Sequence, residues 1–210
     1  VRTAGAGDAV LAAEFYIVLH ALAAERPRGA VTTEDVFNMA QVARRHLPEG
    51  STPARMFDFI RGRYDAGFSW EETRDALYVR YQIEQRDGYS VTQRGLYCNG
   101  CFASGINFAA SLVSLFYGGG DLKETIKIAT LCGWDSDNPT ATWGGLIGFI
   151  IGKKGIENAF LRQFFNRFSK VKNTFYSYII IKVNVIINYF NTKTIHIFTS
   201  NIILFFRINH

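Results

Sequence analysis

Three oxygen-bearing side chains sit almost together at Asp135, Asp137 and Asn138. Two carboxylates at i and i+2, followed at once by an amide, can converge on one hard cation such as Mg²⁺, Mn²⁺ or Ca²⁺. The spacing is not that of an EF-hand loop, since the later Gly and the Glu at its twelfth position are absent. A plainer use competes. The same groups can accept from the free N–H groups of a following helix, with Asn138 as the N-cap and Pro139 at the first helical position. Spacing alone leaves both uses open.

The elements that must hold this turn read as helices. Glu14–Ala24 is Ala- and Leu-rich and is closed by Pro27 and Gly29. Thr32 or Thr33 can cap a helix running to about His46, with Val36, Met39, Ala40 and Ala43 at helical spacing. Ser51 or Thr52 precedes Pro53 and an apolar stripe of Met56, Phe57 and Ile60. Ser69 and Glu72 make a capping box for a helix to about Glu84. After a loop over 85–104, Ile106–Tyr117 is strongly apolar and ends in three glycines. Asp121 and Glu124 form a second capping-box pattern for a helix to about Leu131. Beyond the acidic turn a helix runs to about Ile151. Gly144, Gly148 and Gly152 recur along it every four residues, a stripe expected to admit a neighbouring helix. The fold class expected is all-α.

Composition narrows the classes. In 210 residues, 48% are hydrophobic and 20% charged, which excludes a solvating or disordered chain. The net charge of +5 belongs to the end of the chain. Residues 161–210 hold seven of the 23 Lys/Arg and none of the 18 Asp/Glu, so the first 160 residues are slightly acidic. No basic face is indicated, and nucleic-acid binding is not expected. No apolar run reaches the roughly 18 residues of a membrane span, and no secretory signal is visible. Three cysteines do not make a disulfide scaffold, and a reducing, cytoplasmic setting is expected.

Residues 171–210 contain no Gly, Ala, Pro, Asp or Glu, and Phe, Ile, Tyr, Asn and Lys make up about two-thirds of them. They are either a β-rich appendix or translated non-coding or frame-shifted sequence, the latter being the expectation. The division expected is a partial helical domain over 1–160 and an Ile/Asn/Phe-rich tail over 161–210. The chain opens at Val1, which reads as a fragment or processed form.

Other signals are discounted. Cys98 and Cys101 have C-x-x-C spacing, but no second pair exists for zinc and no strand precedes them for a redox motif. Both are expected as small buried hydrophobes. Gly5 and Gly7 do not make a dinucleotide fingerprint. His20 is expected to be packed and His46 to end a basic helical turn. Trp70 and Trp143 are expected as anchors, and Trp134, beside the acidic turn, as an anchor or a stacking surface for a base or ribose.

One succession stands out. It runs from Asn107 through the apolar helix to Tyr117, Gly118, Gly119, Gly120 and Asp121. An amphipathic helix follows to Ala129, then Gly133, Trp134, Asp135, Ser136, Asp137 and Asn138, then the glycine-striped helix to Gly148. This resembles the C-terminal part of the ADP-ribosylglycohydrolase family, which includes dinitrogenase-reductase-activating glycohydrolases and crystallin J1 relatives. The resemblance covers about residues 97–156. It implies an all-α, orthogonal multi-helix bundle and a hydrolase that cleaves glycosidic bonds of ADP-ribose on proteins or small molecules with two Mg²⁺ or Mn²⁺ ions. By position it makes Asp135, Asp137 and Asn138 metal ligands, with Asp135 and Asp137 the catalytic pair, and it implies attack of a metal-positioned water on the anomeric carbon. Asn99, Gly100, Ser104 and Gly105 become candidates for substrate phosphate contacts, and Trp134 for a substrate contact.

Two departures from the family pattern are visible. Asn138 stands where Ser or Thr is usual, and an amide oxygen can serve there. The family's N-terminal Asp-Asp motif is missing, with Gly7–Asp8 its faint echo. The expectation is therefore half of a binuclear site, weak in metal and inactive as it stands. The alternative is a non-catalytic crystallin J1-like structural or nucleotide-binding relative.

Overall fold

The computed structural model of the chain describes residues 6–90 and 100–168, with side chains described as far as residue 160. Among the described residues there are seven α-helices and no strand. They are α1 (Asp8–Glu25), α2 (Thr33–Arg44), α3 (Thr52–Asp65), α4 (Trp70–Leu77), α5 (Ser104–Gly118), α6 (Leu122–Leu131) and α7 (Asp137–Phe168). A π-helical turn, Tyr78–Ile83, extends α4.

Local chemistry sets most of these boundaries. Thr32 and Asp35 make a reciprocal capping box ahead of α2, and Ser69 and Glu72 make another ahead of α4. The Ser51 side chain accepts from Ala54 N–H, and Pro53 lies in the first turn of α3. Asp121 caps α6 by accepting from Glu124 N–H at 2.7 Å. The Glu124 carboxylate does not reciprocate, because Lys127 takes it at 2.7 Å. Only half of that expected box forms.

α5 is the axis of the fold. Eleven of its fifteen residues are buried, and it touches α1, α2, α3, α4, α6 and α7. A helix apolar on every side is stable only when enclosed in this way. Rings gather along it. Phe15 meets Phe108 edge-on at 5.3 Å, Phe57 meets Phe116 at 5.3 Å, and Tyr16 lies 5.3 Å from Trp143. The Trp143 indole N–H donates to Ser111 O at 2.8 Å, so its one polar atom is satisfied inside the core.

The glycine stripe does not act as one surface. A Cβ at Gly144 would meet Ile126 of α6 at ordinary contact distance, and one at Gly148 would meet Ile156 further along α7. Gly152 has φ +67 and breaks α7 there, close to the end expected at Ile151. The close approach lies at the other end of α5. A Cβ at Gly118 would sit 2.6 Å from Thr125 Cα, and one at Gly120 would sit 2.7 Å from Val31 O.

α7 continues in backbone past residue 160 to Phe168. The tail reading and the histidines His196 and His210 fall outside the described residues, as do Cys98 and Asn99. No helix of the described residues is long and apolar enough to cross a membrane. Cys132 is buried, its thiol pushed up to about 12 by burial. Cys101 is not the buried small hydrophobe expected: it is half-buried and disulfide-bonded.

Candidate metal centre

The acidic turn lies between α6 and α7, beside the first turn of α5. Leu131 ends α6, and Gly133 follows with φ +100. Trp134 then takes φ +55. A bulky residue in the left-handed region is an outlier that costs about 1–3 kcal/mol and persists only when its surroundings enforce it.

Two surrounding groups do so. The Trp134 indole N–H donates to Gln82 Oε1 at 2.6 Å. The Asp135 backbone N–H donates to Asn107 Oδ1 at 3.0 Å. Asn107 is itself fixed, since its Nδ2 donates to Cys101 O at 2.7 Å and Ala103 O at 3.0 Å. All of the Asn107 side-chain amide is therefore used in tying the 100–103 loop and the acidic turn to α5.

The two carboxylates stand together. The Asp135 carboxyl is raised above the usual aspartate range, first by its contact with the Asp137 carboxyl and then by partial burial, while Asn138 pulls the other way. The Asn138 side-chain N–H donates to Asp135 Oδ2. α7 begins at Asp137, so Asn138 lies in its first turn and does not stand before it as the N-cap. The competing cap use is thereby taken from Asn138, whose amide faces a carboxylate.

Among the described residues no Lys, Arg or His pairs with Asp135 or Asp137. Two adjacent carboxylates with no counter-charge, plus an amide, suit one hard divalent ion that keeps several waters. Among the described residues no three His, Cys, Asp or Glu side chains gather to hold a metal.

The remaining expected residues fall around this turn. Gly100 is buried with φ +74 and starts the short turn whose carbonyl at residue 101 binds Asn107. Ser104 is exposed and opens α5, and Ala103 gives that first turn no side-chain cap. Gly105 packs under a ring, where a Cβ would lie 2.5 Å from Tyr89 Cε2, and the Tyr89 hydroxyl accepts from Ile106 N–H at 3.0 Å. Trp134 is half-buried against the core.

Gln82 and Asn107 carry roles that the sequence reading did not assign. Asn107 left a trace, as a lone amide in an apolar helix. Gln82 left none, because helical spacing from Leu77 and Tyr81 does not bring it inward. The widened turn does, and Glu84 N–H bonds Val79 O at 2.9 Å, five residues back. A groove of about 670 Å³ opens elsewhere, over α2 and α3. Its Arg61 is committed to Asp65 at 2.8 Å and covers the Phe37 ring at 4.0 Å.

The family profile of the ADP-ribosylglycohydrolases matches residues 2–179, well beyond the 97–156 over which the resemblance was read. The chain belongs to the ADP-ribosylglycohydrolase family. No curated protein and no solved structure matches it.

Proposed function

We propose that the chain is an ADP-ribosyl hydrolase acting on ADP-ribosylated protein or a related small molecule, with one divalent ion, Mg²⁺ or Mn²⁺, held at the turn before α7. The observation that carries this reading is the pair Asp135 and Asp137, in mutual contact and without a cationic partner among the described residues. Family membership supports the substrate class.

In this reading Asp135 and Asp137 supply carboxylate oxygens, and Asn138 supplies an amide oxygen in place of a hydroxyl. When bound, the ion supplies a Lewis acid for ribose hydroxyls and acidifies a water. Asn107 keeps the Asp135 backbone from turning away. Trp134 walls the turn on the side of Gln82 and offers its half-buried face to the substrate. Gly100, Ser104 and Gly105 remain the proposed phosphate contacts, on the turn before α5 and at its first turn, where backbone N–H groups favour anions. Asn99 belongs to the same proposal and lies outside the described residues.

A second reading has one observation behind it. No third acidic or imidazole ligand joins the pair among the described residues, which suits a non-catalytic relative that binds nucleotide or serves a structural role. The test is release of free ADP-ribose from ADP-ribosyl-arginine and ADP-ribosyl-serine substrates, with Mg²⁺ and with chelator. Mg²⁺-dependent release, lost in Asp137→Asn, supports the hydrolase. ADP-ribose binding without release under any condition supports the second reading.

A further inference from the structure

Gln82 is a buried amide at 7% exposure, on a turn that departs from α-helical geometry. In a regular helix, Leu77 and Tyr81 would define the inward face and Gln82 would point about 100° away from Tyr81. The π-helical turn widens the spiral, and Tyr81 and Gln82 are buried side by side. Such turns recur at functional sites because they bring one side chain inward out of step with its neighbours. Here that side chain accepts from Trp134, 52 residues away, at 2.6 Å.

Trp134 is the residue immediately before Asp135, and it sits in the left-handed region without being glycine. An unrestrained Trp would leave that conformation. The peptide would then rotate and carry the Asp135 side chain away from Asp137. The indole N–H bond to Gln82 holds the ring from one side, and Asn107 holds the Asp135 N–H from the other.

We propose that Gln82 is a positioning residue for the acidic turn: by holding the Trp134 indole it keeps Asp135 and Asp137 in the arrangement that receives the divalent ion. This rests on the proposed metal reading of Asp135, Asp137 and Asn138. The ring is a brace whose N–H is already engaged, so a ligand reaching Trp134 meets its face and not its donor.

The experiment uses the full chain, with Mn²⁺ as the probe, read by calorimetry and by the indole ¹H–¹⁵N resonances of Trp70, Trp134 and Trp143. Gln82→Leu removes the acceptor at similar volume. It should weaken Mn²⁺ about tenfold, within the range seen when groups that orient metal ligands are lost. It should shift the Trp134 indole resonance and leave that of Trp143 in place, which reports an intact core. Gln82→Glu retains an acceptor oxygen and should restore Mn²⁺ affinity to within about threefold of the parent, a rescue that loss of packing alone would not give. Should Gln82→Leu not fold, Trp134→Phe keeps the ring, removes the donor and should weaken Mn²⁺ to the same extent. Parent-like Mn²⁺ affinity in Gln82→Leu or Trp134→Phe would overturn the proposal and leave the metal reading standing. A parent chain that takes up no Mn²⁺ would overturn both, and the Gln82–Trp134 bond would then be core packing only.

Discussion

Two clusters in this protein each gather two carboxylates, and they end in opposite states. In the first, Arg44 lies between α2 and α3 with its side chain only 8% exposed. It grips Asp58 through Nε at 2.9 Å and Nη2 at 2.7 Å, and it reaches Glu49 at 3.0 and 3.2 Å. The charges there are answered within the chain, in the forked geometry suited to guanidinium. In the second, Asp135 and Asp137 are in contact, the Asn138 amide donates to Asp135, and no cation pairs with either among the described residues. The first cluster is complete as folded and serves stability. In the reading proposed here, the second is completed by a divalent ion. The same residue type thus marks structure in one place and a candidate site in the other, and the presence of a counter-charge separates them.

The largest break in this comparison comes from removing a carboxylate at the second cluster. Asp137→Asn should weaken Mn²⁺ by at least about 100-fold, since even groups that merely orient a ligand cost about 10- to 100-fold when lost. Free Mn²⁺ measured by electron paramagnetic resonance checks it. The melting temperature should hold or rise, because a like-charge contact is removed.

Arg44→Met should do the reverse. Its carboxylate partners are 57% and 87% exposed, so the loss falls below that of a fully buried pair, at about 2 kcal/mol. Thermal unfolding should move down by about 4–8 °C for a chain of this size. Mn²⁺ affinity should be unchanged, since the arginine lies in the other cluster.

Asn107→Leu sharpens the contrast, because Asn107 belongs to both the core and the site. It should lose about tenfold in Mn²⁺ affinity and about 1–3 kcal/mol of stability from the polar groups it leaves unmatched. Calorimetric titration and denaturant unfolding read the two losses separately.

How far the sequence disclosed all this depends on the range of the interaction. The caps at Thr32, Ser51 and Ser69 were legible because a cap is settled within four residues. The pairing of Asp135 with Asp137 was legible because two residues on one turn have few other places to go. Asn138 was misplaced as the cap, because α7 opens one residue earlier, at Asp137, so Asn138 already lies inside the helix. The glycine stripe on α7 drew notice through its period, while the tight contacts fell to Gly118 and Gly120, whose partners Thr125 and Val31 no period reveals. Gln82 was hidden altogether. Its partner is 52 residues away, and the turn that points it inward breaks the helical spacing by which inward residues are recognised.

The smallest effect is a pH dependence of opposite sign in the two kinds of carboxylate. Asp135 has a folded-state value above the ordinary one, so the folded state favours its neutral form. Its contribution to stability is present below the ordinary aspartate value and is lost as pH rises through the raised folded value. Asp35, an N-cap partner, is lowered by its bonds to Thr32, so its contribution is present above the ordinary value and is lost as pH falls through the folded one. Without metal, the parent should therefore lose stability relative to Asp135→Asn as pH rises above the ordinary aspartate value. Relative to Asp35→Asn it should gain as pH rises toward the ordinary aspartate value from below, and hold steady above it. Urea unfolding of the three proteins on both sides of the ordinary aspartate value gives the comparison.

The central claim is that the turn before α7 awaits a divalent ion. Titration of Mn²⁺ into the full chain in a calorimeter tests it most directly. The account predicts one saturable ion per chain, abolished when Asp135 and Asp137 are both replaced by Asn. An isotherm with no binding heat in the parent, or one unchanged by the double replacement, would contradict it.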